Sequence, residues 1–328
     1  MNKIGVKVLG TGSFLPKRVL TNLELEKIVQ TSDEWITTRT GIKERRIVDD
    51  SIATSDIAIE AARKALEEAK VAPQDLDAII VATITPDMFF PSTACFVQKG
   101  LGATKAFAFD MSAACTGFVY ALGVAKGLIE SGYCSKILII GAETLSKITD
   151  WQDRNTCVLL GDGAGAIVLG ATEQKSNILS VYLGADGNYE NLLKLPAGGS
   201  RNPTSQKTID ERLHYMKMEG KEVFKVAVTK MAEAAKKALE IANLTANDIS
   251  LLIPHQANLR IVEAIAKRME FPLDKVFINL QKYGNMSSAT TIVALDEARK
   301  EGRLKQGELV ELVAFGGGFT WGAAVLRV

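Results

Sequence analysis

The chain contains an internal repeat, and this repeat limits the possible folds more than any other feature of the sequence. Residues 60–76 read EAARKALEEAKVAPQDL, and residues 233–249 read EAAKKALEIANLTANDI, an ungapped match in which position 60 aligns with position 233. Each copy has the pattern of an amphipathic helix and a short polar turn, followed by an apolar strand. The strands are AIIVAT at 78–83 and LLIPHQ at 251–256. A chain that carries this unit twice is expected to fold into two related halves.

Two further matches follow in the same order along the chain. CTGFVYALGVAKGLIESG at 115–132 corresponds to NMSSATTIVALDEARKEG at 285–302, again without a gap. The glycine-rich GDGAGAIVLG at 161–170 resembles GGGFTWGAAVL at 316–326. Strand and helix patterns alternate throughout, which favours an α/β fold. The sequence therefore predicts a duplicated α/β fold whose halves meet near residue 173.

Composition and charge exclude several classes of protein. The chain has 328 residues, of which 47% are hydrophobic and 23% charged, enough for a large core. The net charge of +1 gives no overall signal for nucleic-acid binding. Apolar runs such as 78–82 have the length of strands, and the N-terminal residues lack the apolar stretch of a signal peptide. We therefore expect a soluble cytoplasmic protein that binds neither nucleic acid nor membrane.

The cysteines point to a nucleophile rather than to a metal site. The four cysteines, at positions 95, 115, 134 and 157, show neither CxxC spacing nor a cluster with histidine, so we expect free thiols and no metal. Cys115 is the best candidate for chemistry, because the strand-like AFAFDM runs into small residues before a predicted helix. A helix N-terminus stabilises a thiolate and lowers the pKa of the thiol. The alternative is a small buried side chain at a helix–strand contact.

Two other polar residues lie at strand ends and helix starts, where α/β proteins place their active sites. His255 directly follows an apolar strand, and Asn285 is the counterpart of Cys115 in the second match. The alternatives are a structural histidine and a turn with a helix N-cap. The second histidine, His214, lies among charged and long side chains, which fits a surface or packing role.

The run FGGGFTWG at 315–322 contains three consecutive glycines. Such a run lets backbone N–H groups approach a reacting carbonyl, although a flexible turn between strands is the alternative. It is not a phosphate loop, because the pattern GxxxxGK[ST] is absent from the chain.

Taken together, these motifs resemble one known family, the β-ketoacyl-acyl-carrier-protein synthases III, which are the initiating condensing enzymes of dissociated fatty-acid synthesis. The resemblance covers essentially the whole chain. It rests on TSDEWITTRTGI (31–42), AACTGF (113–118), GDGAGA (161–166), PHQANLR (254–260), GN (284–285) and FGGGFTWG (315–322). It implies a thiolase-like duplicated fold, a five-layered α-β-α-β-α sandwich, and an obligate homodimer. Residues 1–172 would form the half with the nucleophilic cysteine, and residues 173–328 the half with the histidine and asparagine.

The resemblance also implies a reaction. Acetyl-CoA, or another short or branched acyl-CoA, would condense with malonyl-acyl-carrier protein to give a 3-oxoacyl-acyl-carrier protein, CO2 and CoA. Cys115 would carry the acyl group, and the backbone N–H groups of Cys115 and Gly317 would bind its oxyanion. His255 and Asn285 would stabilise the carbanion formed by decarboxylation. No metal or organic cofactor is implied, because the CoA thioester is a substrate.

Binding residues follow from the same resemblance. The CoA positions are Thr31, Trp35, Arg39, Arg154, Gly220, Phe224, Ala257 and Asn258, with Trp35 and Arg154 on either side of the adenine. Lys221 stands where some members have asparagine. The acyl-pocket positions are Leu145, Leu160, Leu192, Met216, Phe315 and, reaching across the dimer into the partner's pocket, Phe90. Because Leu160 and Met216 leave room, we expect starters beyond acetyl. The carrier-protein docking positions are Lys225, Arg260, Lys267 and Arg268.

Alternatives remain for several of these assignments. Trp35 also fits a core aromatic, and the basic helix face also fits a solvated surface. A related thiolase-superfamily acyltransferase of secondary metabolism would share the cysteine, histidine and asparagine, but the intact TSDEW motif favours primary fatty-acid synthesis. A non-catalytic relative is expected to lose one of the three residues. A cysteine hydrolase would not carry out decarboxylative condensation.

Overall fold

The computed structural model describes residues 4–328. The strands are β1 (Gly5–Phe14), β2 (Arg18–Thr21), β3 (Glu44–Ile47), β4 (Ala78–Ala82), β5 (Phe107–Met111), β6 (Lys136–Thr144), β7 (Asp162–Thr172), β8 (Ile178–Ala185), β9 (Leu193–Lys194), β10 (Lys217–Met218), β11 (Leu251–Pro254), β12 (Leu309–Gly316) and β13 (Thr320–Arg327). The helices are α1 (Asn22–Leu25), α2 (Asp33–Thr40), α3 (Thr54–Ala69), α4 (Thr93–Leu101), α5 (Gly117–Glu130), α6 (Arg154–Cys157), α7 (Gln206–Asp210), α8 (Gly220–Ala242), α9 (Leu259–Arg268), α10 (Leu280–Tyr283) and α11 (Ala289–Lys300).

Two sheets of the same topology form the framework. The first has the order β1-β7-β6-β4-β5, and the second has the corresponding order β8-β13-β12-β11. In each sheet the first three strands are antiparallel neighbours, and the next strand is parallel. A parallel bridge between Leu252 and Val276 lies where the second sheet would have the counterpart of β5. The first sheet uses strands from residues 5–172 and the second from residues 178–327, while the exact division at residue 173 stays a prediction.

Side chains that alternate along the strands build five layers. In β4, Ile79 and Val81 pack with α3 and α4, whereas Ala78 and Ile80 pack with α5 and α11. The other side of α5 and α11 meets the second sheet, whose outer face is covered by α8 and α9. The order is therefore helices, sheet, helices, sheet, helices, which is the architecture that the resemblance implies. Because β4 is buried on both faces, its apolar sequence is unbroken, as expected for a parallel strand.

The internal repeat is reproduced in backbone detail. The helices α3 and α8 are followed by the C-cap residues Lys70 and Asn243, which are equivalent positions of the repeat and adopt left-handed φ angles of 53° and 55°. The parallel pairs Ala78–Ile137 and Leu251–Val310 are equivalent in the same alignment. The predicted helix–turn–strand unit is therefore confirmed in both halves.

One detail of the predicted repeat is wrong. The sequence match aligned Cys115 with Asn285. The turns before α5 and α11 each contain a residue with a φ of 46°, Ala114 and Ser287, and these two keep the spacing that relates Lys70 to Asn243. Since β4 and β6 keep that spacing relative to β11 and β12, the counterpart of Cys115 is Ser288.

A close approach of α11 to the first sheet holds the centre of the molecule together. A β-carbon at Gly141 of β6 would lie 2.6 Å from the carbonyl oxygen of Ser288, so the sheet needs glycine there. The Ser288 hydroxyl in turn donates to the carbonyl oxygen of Ala82, at the end of β4, over 2.7 Å. The N-terminus of α11 is thus placed beside the carboxyl ends of the parallel strands.

A small subdomain, formed by the hairpin β2–β3 with α1 and α2, covers one side of this edge. The TSDEW motif forms α2, in which the Ser32 side chain accepts a hydrogen bond from the N–H of Trp35 and Gly41 ends the helix with a φ of 78°. Arg45 of β3 is buried and donates to the carbonyl oxygens of Leu20 and Val158. Arg45 therefore ties the subdomain to the segment that precedes Leu160. No helix among residues 4–328 is long and apolar enough to cross a membrane.

Candidate active site

Cys115 lies at the turn between β5 and α5. The strand ends at Met111, and residues 114–116 form a 3-10 turn before the helix begins at Gly117. The left-handed φ of Ala114, 46°, bends the chain sharply at this point. The Cys115 side chain is only 8% exposed, and it lines two cavities. This is the strand–turn–helix path that the sequence predicts.

Two glycines of the triple run lie near this turn, and Gly316 packs directly against it. A β-carbon at Gly316 would lie 2.6 Å from the amide nitrogen of Cys115, so a larger residue would displace the backbone. Gly317 lines the same cavity as Cys115. Among residues 4–328, neither the N–H of Cys115 nor that of Gly317 donates a hydrogen bond. Both groups are therefore available to an oxygen atom that enters the cavity.

His255 directly follows β11, at the carboxyl end of the strand. Its main-chain N–H donates to the carbonyl oxygen of Val313 over 2.7 Å, which anchors the residue to β12. The ring atom Nδ1 lies 2.6 Å from Oγ1 of Thr290, so Nε2 is the ring nitrogen left for the cavity. Burial lowers the pKa of His255 to about 3, and the imidazole is therefore neutral near pH 7. A neutral ring donates from one nitrogen and accepts at the other.

Asn285 is held between two segments of the chain. Its N–H donates to the carbonyl oxygen of Leu159 over 2.8 Å, and its carbonyl oxygen accepts from the N–H of Gly161 over 3.0 Å. The side-chain oxygen accepts a 2.7 Å hydrogen bond from the N–H of Ser287. The helix that follows begins after Ser288, so Asn285 is not its N-cap. The side-chain NH2 group is left as a donor toward the cavities that Asn285 lines.

The electrostatics around Cys115 differ from the expectation. Burial raises the pKa of the Cys115 thiol to about 12; proximity to Ser287 opposes the rise and the nearby Glu143 carboxyl adds to it. The resting group is therefore a thiol, and burial outweighs the predicted effect of the helix N-terminus. The Ser287 hydroxyl is within reach of Cys115 and Glu143 but outside standard hydrogen-bond geometry with either.

Glu143 is a buried acid at the base of the site. Burial raises the pKa of its carboxyl group, while hydrogen bonds from neighbouring donors act in the opposite direction. Thr85 donates to Glu143 from its hydroxyl over 2.7 Å, and the N–H of Ile84 donates over 3.1 Å. The Ser288 hydroxyl lies 3.0 Å from the same carboxyl group. These contacts join the ends of β4 and β6 to the N-terminus of α11.

Two cavities meet at Cys115. The larger has a volume of about 840 Å³ and opens between the α2 subdomain, α8 and α9. The smaller has a volume of about 230 Å³ and is lined mostly by apolar side chains. The residues that line both are Cys115, Leu159, Leu193, Met218 and Asn285. The structure therefore brings Cys115, His255 and Asn285 together where the larger cavity, which we call the tunnel, meets the small apolar pocket.

Most of the CoA positions implied by the resemblance line the tunnel. They are Trp35, Arg39, Gly220, Phe224, Ala257 and Asn258, and Lys221 lies on the same wall. Asn258 has a second role, because its side chain accepts from the N–H of Arg260 and so caps α9. Thr31 and Arg154 are not part of the tunnel wall.

Trp35 lies between two arginines at the tunnel mouth. The guanidinium carbon of Arg154 is 4.6 Å from the centre of its ring, and that of Arg39 is 4.8 Å away. Trp35 is half-buried, because one part of it packs against a core cluster while its ring also offers a stacking surface to the two guanidinium groups. Arg154 rests directly on the ring, so an adenine between Trp35 and Arg154 requires the arginine to move aside.

The acyl-pocket positions divide into two groups. Leu145, Leu160 and Met216 line the small pocket, as the resemblance implies. Leu192 does not, because it packs with the cluster around α8 and its neighbour Leu193 faces both cavities. Phe315 lines the tunnel instead of the pocket. Phe90 is 83% exposed in the single chain and lies away from both cavities.

The basic positions implied for carrier-protein docking lie on two helices, and of these Lys225 and Arg260 line the tunnel. Arg260, Lys267 and Arg268 are exposed on α9, although the exposed Glu263 lies between them on the same helix. Lys225 of α8 lines the tunnel and pairs with Glu222 over 2.8 Å. Arg268 donates to the Thr229 hydroxyl of α8, which joins the two helices.

Several residues of the site escape sequence reasoning. Ile84, Ile148 and Leu193 line the pocket, and Thr290 contacts His255. Leu193 differs from the predicted Leu192 by one position, and the short pairing of β9 with β10 decides which side chain faces inward. The two serines after Asn285 look like a helix start in the sequence, which gave no signal for the role of Ser287. Residues 4–328 contain no group of three or more side chains suited to a metal ion.

Comparisons with known proteins agree with this geometry. Residues 109–187 match the family described as 3-oxoacyl-[acyl-carrier-protein] synthase III, and residues 239–328 match its C-terminal region. The beta-ketoacyl-[acyl-carrier-protein] synthase III of Caldanaerobacter subterraneus is 58% identical over 99% of this chain and 98% of that protein. The crystal structure of 3-oxoacyl-[acyl-carrier-protein] synthase III from Aquifex aeolicus has a TM-score of 0.91 and 51% identity, over 99% of this chain and 100% of that one. The priming β-ketosynthase of the R1128 polyketide pathway has a TM-score of 0.92 and 34% identity, over 100% and 97%.

The duplicated five-layered sandwich, with a cysteine, a histidine and an asparagine at one tunnel end, defines a condensing acyltransferase of the thiolase type. The high sequence identity to relatives over nearly the whole chain narrows this class of enzymes to one family. The chain belongs to the β-ketoacyl-acyl-carrier-protein synthase III family.

Proposed function

We propose that this protein initiates fatty-acid synthesis of the dissociated, bacterial type, with Cys115 as the acyl carrier. The reaction is the decarboxylative Claisen condensation of an acyl-CoA with malonyl-acyl-carrier protein, and it yields a 3-oxoacyl-acyl-carrier protein, CO2 and CoA. One observation carries the proposal: Cys115 lies where the tunnel, a cavity of about 840 Å³, meets a small apolar pocket of about 230 Å³. The tunnel fits a pantetheine arm, and the pocket fits a short acyl chain.

In the first step, the Cys115 sulfur attacks the carbonyl carbon of the acyl-CoA thioester. The carbonyl oxygen becomes an oxyanion, which the free N–H groups of Cys115 and Gly317 stabilise. The bond to the CoA sulfur then breaks, and CoA leaves with the proton that the Cys115 thiol has lost. The acyl chain remains in the pocket lined by Leu145, Leu160 and Met216.

In the second step, malonyl-acyl-carrier protein takes the place of CoA in the tunnel. The bond to the malonyl carboxylate breaks, CO2 leaves, and the electron pair forms an enolate. Its oxygen accepts hydrogen bonds from the Asn285 side-chain NH2 and from His255 Nε2. The carbanion carbon then attacks the acyl-Cys115 carbonyl, the bond to the cysteine sulfur breaks, and the released thiolate takes up a proton from water to restore the Cys115 thiol. No metal or organic cofactor takes part in this scheme.

The tunnel residues support acyl-CoA as the first substrate. Trp35 offers an aromatic face for the adenine, and Arg39 lies next to it as a partner for phosphate. Arg154 would close over the adenine after moving off the Trp35 ring. Thr31 lies outside the tunnel wall and would contact the CoA beside the tunnel mouth. Gly220, Phe224, Ala257 and Asn258 would contact the pantetheine arm.

The basic residues of α8 and α9 are the proposed docking site of the carrier protein. Carrier proteins of this kind are acidic, so Lys225, Arg260, Lys267 and Arg268 would attract one to the tunnel mouth. Mutation of such rim charges is expected to change the association rate and its salt dependence more than the chemistry.

We further propose that the protein is a homodimer in the cytoplasm. The strand β5 lies at the edge of the first sheet, and an exposed edge needs a cover. Phe107 of β5 is 40% exposed. Phe89 and Phe90, which come shortly before α4 in the sequence, are each more than 80% exposed. A second copy that covers this edge would bury Phe90 and bring it to the partner's acyl pocket.

The alternative is an acyltransferase of secondary metabolism. The priming β-ketosynthase of a polyketide pathway shares the fold but is less similar in sequence than the fatty-acid relatives. The proposed function is tested by incubating the purified protein with malonyl-acyl-carrier protein and, separately, acetyl-, isobutyryl- and hexanoyl-CoA. Product masses should show 3-oxoacyl-carrier proteins. Acylation of Cys115 without any condensation product contradicts the proposal.

A further inference from the structure

His255 and Asn285 each contact a residue at the start of α11, Thr290 and Ser287 respectively. The N–H of Ser287 donates to the Asn285 side-chain oxygen, and its carbonyl oxygen lies 2.9 Å from the Thr290 hydroxyl. Thr290 in turn lies 2.6 Å from Nδ1 of His255. Thr290 is fully buried, so no solvent molecule at the protein surface competes for its hydroxyl. Two neighbouring residues of one segment thus contact two side chains that line the tunnel.

The Thr290 hydroxyl has one hydrogen and two possible acceptors. If the hydrogen goes to the Ser287 carbonyl, then His255 must carry its ring hydrogen on Nδ1 and donate it to Thr290. In that case Nε2 presents a lone pair to the tunnel. If the hydrogen goes to Nδ1, the ring hydrogen is on Nε2, and His255 presents a donor to the tunnel. The heavy atoms occupy the same positions in both arrangements.

We propose that Thr290 is a positioning residue, which donates its hydroxyl hydrogen to Nδ1 and thereby holds His255 with its ring hydrogen on Nε2. The Ser287 carbonyl already accepts the main-chain N–H of Thr290 over 3.2 Å, so it retains a partner. Among residues 4–328, Nδ1 has only the Thr290 hydroxyl. The inference rests on the proposed function, because only a donor at Nε2 stabilises an enolate oxygen.

Isosteric variants separate this role from packing. Thr290→Val keeps the shape but removes the hydroxyl, and Thr290→Ser keeps the hydroxyl. Thr291→Val is the matched control, because Thr291 is the next residue of α11, is equally buried and has a side-chain oxygen without a hydrogen-bond partner. The half-reactions are measured separately, as acyl-Cys115 formation from acetyl-CoA and as CO2 release from malonyl-acyl-carrier protein.

We expect Thr290→Val to form the acyl-enzyme at nearly the wild-type rate and to lose decarboxylation by roughly ten- to a thousandfold, the range for losing an orienting partner or an oxyanion donor. Thr290→Ser should restore most of the rate, and Thr291→Val should match the wild type. Equal decarboxylation by Thr290→Val and Thr291→Val overturns the inference. A wild-type enzyme that forms no acyl-Cys115 instead overturns the proposed function.

The ring hydrogen can also be observed directly. The chain has only two histidines, so a protein with 15N-labelled histidine gives two sets of ring signals, and a His214→Asn variant assigns them. In the acyl-enzyme, we expect His255 to show a protonated Nε2 and an unprotonated Nδ1, and Thr290→Val to lose this preference. A wild-type acyl-enzyme with the hydrogen on Nδ1 contradicts the inference, whatever the rates.

Discussion

The side-chain oxygen of Asn285 accepts a 2.7 Å hydrogen bond from the main-chain N–H of Ser287. Because an N–H group only donates, this contact decides which end of the amide faces Ser287 and which end faces the substrate. Asn285 therefore presents a donor at the junction of the two cavities. Ser287 can form this contact because its backbone adopts a left-handed φ of 46°.

Replacement of Asn285 by aspartate tests the importance of that donor. Aspartate keeps the shape and the oxygen that faces Ser287, but it places an acceptor where the NH2 group was. We expect decarboxylation of malonyl-acyl-carrier protein to fall by about 10²- to 10³-fold, as for other lost oxyanion donors. Acylation by acetyl-CoA should persist. Measured CO2 release at the wild-type rate would show that the amide donor has no part in decarboxylation.

The contact between Gly316 and Cys115 can be tested with a single methyl group. Gly316→Ala would place a β-carbon 2.6 Å from the Cys115 amide nitrogen and displace the turn. We expect acyl-enzyme formation to slow by about a hundredfold, since small misplacements of reacting groups have effects of this size. Gly187→Ala is the control, because a β-carbon there meets nothing within 4 Å. Equal acylation rates for the two variants would exclude a role for this contact.

The pocket beyond Cys115 is expected to set the length of the acyl chain. Leu160→Phe fills part of a cavity of about 230 Å³ and should lower the rate with hexanoyl-CoA relative to acetyl-CoA by roughly tenfold or more. Leu192 lies outside the pocket, so Leu192→Phe should leave the ratio of the two rates unchanged. The test compares the steady-state rates of wild type and both variants with acetyl-CoA and hexanoyl-CoA. A strict preference of the wild type for acetyl-CoA would contradict the expectation of longer starters.

His255 should make the stability of the protein depend on pH. The pKa of His255 is lowered by burial from 6.5 to about 3. Between these values the unfolded chain binds a proton that the native protein does not, so stability decreases as the pH falls. The contribution is up to about 1.4 kcal/mol per pH unit.

Urea unfolding between about pH 4.5 and pH 6.5 measures this dependence. His255→Asn should show a smaller decrease in the free energy of unfolding toward low pH than the wild type. Cys115→Ser changes no group that titrates in this range, and it serves as the comparison. Parallel curves for wild type and His255→Asn would show that His255 becomes charged in the native protein.

The repeat is the part of the fold that can be predicted best from sequence. Its helix, turn and strand are local patterns, and the structure keeps the spacing even at the helix ends, Lys70 and Asn243. The sequence match through the helix that follows Cys115 differs from the structural alignment by less than one helical turn. In that segment small and hydroxyl-bearing residues look alike in several alignments, whereas the left-handed turn residues Ala114 and Ser287 fix one of them.

The site is less predictable, because its properties depend on distant contacts. A helix N-terminus suggests a lowered pKa for Cys115, but the packing of both halves around the thiol raises it. The local sequence does not indicate whether Leu192 or Leu193 lines the pocket. It also does not indicate that Thr290 contacts His255. The position of Arg154 on the Trp35 ring likewise depends on how α6 packs beside α2.

The role of Cys115 is tested most directly by intact mass after incubation with acetyl-CoA alone. The wild type should gain one acetyl group, which peptide mapping should place on Cys115, and Cys115→Ser should gain none. His255→Ala and Asn285→Ala should still be acylated, because they act in decarboxylation. An acetyl group on another residue, or the absence of acylation in His255→Ala as complete as in Cys115→Ser, would contradict the proposed division of roles.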